Sequence, residues 1–95
     1  MNSQEVFDKR LKFSAEVLRL CLRLNRNPIE KHISLQLTRS ATSSGANYEE
    51  SRGAESRSDF IHKMQLVLKE LKESLYWIKL LNEIGAANSQ AVDNL

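Results

Sequence analysis

"TRSATSSGANYEES", from Thr38 to Ser51, decides the fold. The stretch is crowded with Ser, Thr and Gly, which are mediocre to poor helix formers. A loop has support here: Ser43-Ser44-Gly45 is loop-like, and a glycine inside a helix costs about 1 kcal/mol relative to alanine. A helix has support too. Ala41 and Gly45 lie four apart, as do Thr42 and Ala46, and Ser40 and Ser44, so each pair lines one side of a helix. Small side chains in such rows let another backbone come close. A loop would also split the chain into one very short helix and one long one, a poor bundle. The sequence therefore favours a helix from Pro28 to about Ser51, ended by Gly53.

The flanks read more simply. Upstream, an amphipathic helix is predicted from about Gln4 to about Asn25, with Ser3 as its N-cap. Val6, Phe13, Val17, Leu20 and Leu24 form its apolar stripe, widened by Phe7, Leu11, Leu18 and Cys21. Asn27, Pro28 and Glu30 then supply a cap, a first-position proline and a capping-box acid for the second helix. Downstream, Ser56 or Ser58 caps a third helix, and Asp59 favours the positive end of its dipole. Its stripe is Phe60, Met64, Val67, Leu71, Ile78 and Leu81, joined by Ile61, Leu68 and Leu75, and Gly85 is its stop. At 1.5 Å per residue this helix is roughly 40 Å long and needs neighbours of similar length, which favours a bundle.

The expected architecture is all-α: one up-down antiparallel helical-bundle domain over residues 1–95, with helices at about 4–25, 28–51 and 57–84. The tail 86–95 has room for one or two turns capped by Asn88 or Ser89, so the fourth helix of a bundle is short or missing. A chain of 95 residues buries only roughly 60–65% of its surface on folding. Uncovered apolar faces on helices one and three then favour an oligomer.

Charge and composition narrow the class. The 14 Lys and Arg nearly balance the 12 Asp and Glu. Residues 1–40 nevertheless hold eight cations against four carboxylates, while residues 41–95 hold six against eight. Cys21 is the single cysteine and reads as a small core hydrophobe, in keeping with a reducing cytoplasm. The polar N-terminus lacks a signal peptide's apolar region, and no apolar run approaches the roughly 20 residues of a membrane span.

The stretch "QLTRSATSSGANYEESRGAESRSDFIHKMQLVLKELKESLYWIKLLNEIG" resembles a family of four-helix-bundle proteins. They were first noticed as reading frames within intervening sequences of bacterial 23S rRNA genes. Gln36, Arg39, Ser43, Gly45, Asn47, Tyr48 and Glu50 fit the family pattern in turn. Ser56, Phe60, "VLKELKES" and Tyr76-Trp77 fit downstream, so the likeness runs from about Phe7 to Gly85. It implies an antiparallel bundle, usually assembled as a homopentamer. It also implies kinship to the accessory variability protein of diversity-generating retroelements, a basic pentameric barrel that binds nucleic acid and a reverse transcriptase. Family members normally continue through a fourth helix, where this chain departs.

Catalytic signals are weak. His32 and His62 are isolated, with no ligand-spaced partners, so neither a metal nor another cofactor is expected. Ser43 and Ser44 have no nearby histidine base, and adjacent Glu49 and Glu50 point about 100° apart on a helix. No enzyme is expected. Arg39, Asn47 and Glu50 share a helix face, either towards a ligand or subunit or, as the spacing favours, in a network that fixes helix register. Tyr76 and Trp77 are candidate interface aromatics, with core packing as the alternative. Lys9, Lys12, Arg19, Arg23 and Arg26 repeat along one side of helix one and are the best nucleic-acid candidates. Glu5 and Glu16 interleave with them, as on an ordinary solvated face. The leading expectation is a non-enzymatic cytoplasmic homo-oligomer that binds RNA or DNA through helix one. The alternative is a structural or protein-interaction module without a nucleic-acid role.

Overall fold

A computed structural model of the chain describes residues 2–87. These residues form three helices and no strand: α1 (Ser3–Leu22), α2 (Pro28–Arg52) and α3 (Arg57–Glu83). The expected turns at Asn88 or Ser89 lie outside the described residues. The small-residue stretch is helical throughout, in the middle and last turns of α2.

The cross-helix contacts run in opposite senses. Between α1 and α2 they link Arg10 with Tyr48 and Cys21 with Ser34; between α2 and α3 they link Arg39 with Glu73 and Glu50 with Lys63. As one number climbs the other falls, so each neighbouring pair is antiparallel. The bundle is elongated, 44 × 23 × 18 Å. α2 is the middle element; α1 packs chiefly on it and scarcely touches α3.

Local chemistry sets the helix ends. Asn2, rather than Ser3, caps α1, its side-chain oxygen accepting the Glu5 N–H at 2.8 Å. α1 stops at Leu22 rather than near Asn25, because the Arg23 and Leu24 N–H groups turn back to Leu20 and Cys21 at 3.0 Å and close the last turn. That turn delivers Leu24 into the core. Asn27 caps α2 with Pro28 at its first position, and Ser56 caps α3. The Glu30 side chain reaches back one residue further than a capping box does, to the Arg26 N–H at 3.2 Å. α3 ends on Gly85, at φ 74°, where a side chain would clash with its own backbone. There the Ala86 N–H reaches the Leu81 carbonyl at 3.0 Å and the Gly85 N–H reaches Asn82 at 3.1 Å.

The core joins Val17, Leu20, Cys21 and Leu24 to Ile33, Leu37 and Ala41 of α2 and to Ile78 and Leu81 of α3. The three small-residue rows of α2 face three ways. Ser40 and Ser44 are buried, and the Ser40 hydroxyl lies 2.8 Å from that of Ser74 on α3. Ala41 is buried, and Gly45 meets Ser14 of α1. Thr42 and Ala46 line an outer cleft against α1. The close approach does not demand glycine: a Cβ at position 45 would sit 3.6 Å from the Ser14 hydroxyl, an ordinary contact.

The expected stripes are wider than the core they build. Leu11 on α1, and Phe60, Ile61, Leu68 and Leu75 on α3, are exposed. For α3 the reason is its open side, where no helix among the described residues covers the outer half of its apolar face; Leu11 lines the outer cleft between α1 and α2.

Candidate nucleic-acid interface

The five cations on the α1 side are placed differently. Arg19, one turn after Glu16, is ion-paired to it. Arg26 lies beyond the helix end, where its guanidinium meets Glu30 at 2.9 Å and reaches the Ala86 carbonyl at 3.4 Å. Glu30 is buried, and its hydrogen bonds from Arg26 hold its carboxyl below the usual range. Arg26 is correspondingly held in its charged form by Glu30. Lys9, Lys12 and Arg23 are exposed and form no ion pair among the described residues. The spacing thus places five cations on one side, but two of them already answer carboxylates.

Arg39, Asn47 and Glu50 share the expected face without forming a mutual cluster. Arg39 reaches across to Glu70 at 3.2 Å and to Glu73 on α3. Glu50 pairs with Lys63 of α3 at 2.8 Å. The Asn47 amide donates to the Ser43 carbonyl of its own helix at 2.9 Å. Two of the three thus span to α3 and one folds back on its own helix. Glu73 also accepts the Trp77 indole N–H at 3.2 Å; that bond, with Arg39 next, lowers its carboxyl pKa. Trp77 is half-buried beside the core, whereas Tyr76 is exposed against it, with ring centroids 5.0 Å apart.

Two contacts escaped the sequence reading. The Arg10 guanidinium lies 4.7 Å over the Tyr48 ring, and that of Arg52 lies 5.5 Å over Phe7. Only the antiparallel register of α1 on α2 brings these pairs together. The one available signal was the recurrence of an arginine and an aromatic within a turn on both helices.

The α1–α2 side carries an apolar cleft of about 270 Å³, bounded by Phe7, Leu11, Leu18, Thr42 and Ala46. A second one of about 330 Å³ continues past Leu18 to Leu22 and Thr38. Leu11 is 59% exposed and Leu22 78%. Among the described residues no three His, Cys, Asp or Glu side chains gather in a way that could hold a metal, and no helix is long and apolar enough to cross a membrane.

A family model described as 23S rRNA-intervening sequence protein matches residues 2–95. A crystal structure from Bacteroides thetaiotaomicron VPI-5482, described as a protein with unknown function from the S23 ribosomal protein family, is similar at 36% identity and a TM-score of 0.89. The match covers 99% of this chain and 84% of that one. No curated protein matches.

Proposed function

Because the chain belongs to the 23S rRNA-intervening sequence protein family, we propose that it is a non-catalytic, self-associating helical bundle that binds nucleic acid along α1. The observation that carries this reading is the pair of surfaces on α1. One side bears Lys9, Lys12 and Arg23 without carboxylate partners among the described residues; the other bears Leu11 and Leu22 over an apolar cleft. Exposed apolar surface in contiguous clefts fits subunit contact, and free cations fit phosphates. Copies of α1 gathered in an oligomer, five by the family resemblance, multiply the phosphate contacts and steepen the salt dependence. The cytoplasm is the proposed compartment.

Gel shifts of labelled RNA and DNA over a salt series test the binding. Wild type is expected to bind at low salt and release as salt rises, and a Lys9/Lys12/Arg23→Glu variant to lose binding. Absence of a shift at low salt would overturn it. The ion pairs of Arg19 and Arg26 favour a second reading, a purely structural or protein-interaction module whose α1 face is partly neutralised within the chain. A salt-insensitive oligomer without affinity for either polymer is its signature.

A further inference from the structure

Arg10 stands apart from every other cation of the described residues. Arg19, Arg26, Arg39, Arg52 and Lys63 have carboxylate partners. The remaining lysines and arginines without an ion pair are exposed, apart from Arg10, which is half-buried. It makes no ion pair or side-chain hydrogen bond among the described residues, and burial pushes its pKa down. A charge drawn from water without a counter-ion is unfavourable, and an anion seated beside it relieves that cost. Tyr48 supplies partial compensation through its ring face, 4.7 Å from the guanidinium carbon. Its N–H groups, which meet no acceptor among the described residues, form a fork suited to two phosphate oxygens.

The neighbours suit a polyanion better than a single carboxylate. Lys9 lines the same cleft as Arg10, beside Phe13 and Leu71. One carboxylate would answer one of the two charges; a phosphodiester chain answers successive ones. Resting on the nucleic-acid reading above, we infer that Arg10, held by Tyr48, grips a backbone phosphate of the bound nucleic acid, with Lys9 contacting an adjoining phosphate. Tyr48 is then a positioning residue, acting through Arg10.

Fluorescence anisotropy with fluorescein-labelled poly(U) and a labelled DNA duplex, over a salt series, tests this. Circular dichroism and light scattering accompany each variant. Arg10→Gln is expected to lose several-fold in affinity and to lower the salt slope by about one phosphate contact. Arg10→Lys keeps the slope but loses affinity, because it keeps the charge without the fork. Tyr48→Leu weakens binding with the slope unchanged, and Tyr48→Phe restores wild-type affinity. Lys79→Gln, an equal charge change on exposed α3, leaves affinity near wild type. If wild type binds and Arg10→Gln binds equally well with an equal slope, the inference falls while the broader reading stands. If wild type binds neither probe at low salt, the broader reading falls and takes the inference with it. If Arg10→Gln keeps its nucleic-acid affinity but yields smaller particles, Arg10 meets a protein carboxylate instead, and the phosphate assignment is overturned.

Discussion

The α2–α3 pair and α1 satisfy their polar groups in different ways. Between α2 and α3, charges meet charges: Arg39 with Glu70 and Glu73, and Glu50 with Lys63. The buried Ser40 and Ser74 hydroxyls meet each other beneath them. Between α1 and α2 the cross-helix ties are two arginines on aromatic rings and the Ser34 hydroxyl on the Cys21 carbonyl. Carboxylate partners are thus spent on the α2–α3 seam and withheld from most of α1. The seam is built to hold its register, and α1 leaves cations and leucines exposed among the described residues.

The strongest test of that contrast is Leu37→Ala. Leu37 is fully buried in α2, where both other helices converge. The substitution is expected to cost about 2–5 kcal/mol in denaturant unfolding, a large share of a small domain's stability. Hydrogen exchange on wild type and variant then separates the two regions. α1 amides are expected to open before those of α2 and α3, since α1 has one supporting neighbour and few polar ties. Equal protection across the three helices would break the contrast.

The serine pair gives a smaller and sharper test. Ser74→Ala removes one of two buried hydroxyls, and the Ser40 hydroxyl keeps the Leu37 carbonyl as a second partner at 3.3 Å. A loss of about 1 kcal/mol is expected. Combined with Ser40→Ala, the total should be less than the two single losses added, because the two groups share one bond. Strict additivity in thermal or denaturant unfolding would show that the hydroxyls do not couple the helices.

The sequence carried much of this and concealed the rest for identifiable reasons. Asn27, Pro28, Ser56 and Gly85 act through local hydrogen bonds, so their roles could be read from spacing alone. Stripe arithmetic found Val17, Leu20, Ile78 and Leu81 but also marked Leu11, Leu68 and Leu75 as core. Periodicity identifies a face and says nothing of whether a helix lies over it. The cation row was legible too, yet Glu16 and Glu30 were needed to divide it into paired and free charges. Arg10 was invisible among the candidates because its burial and its Tyr48 contact exist only once α1 is laid antiparallel on α2.

The mildest substitution bears on the stretch that decides the fold. If small residues in α2 are there to admit α1, Gly45 should be its least replaceable position. The geometry argues otherwise. Gly45 is in the helix interior, without the positive φ that Gly85 shows. An added Cβ meets the Ser14 hydroxyl at ordinary contact distance. Alanine therefore removes the conformational-entropy cost of an interior glycine and leaves α1 in place. Gly45→Ala is expected to stabilise the chain by about 0.5–1 kcal/mol in denaturant unfolding. A loss of similar size would mean that α1 approaches α2 more closely than Ser14 permits, and the row of small residues would then be holding α1 as firmly as the ion pairs hold α3.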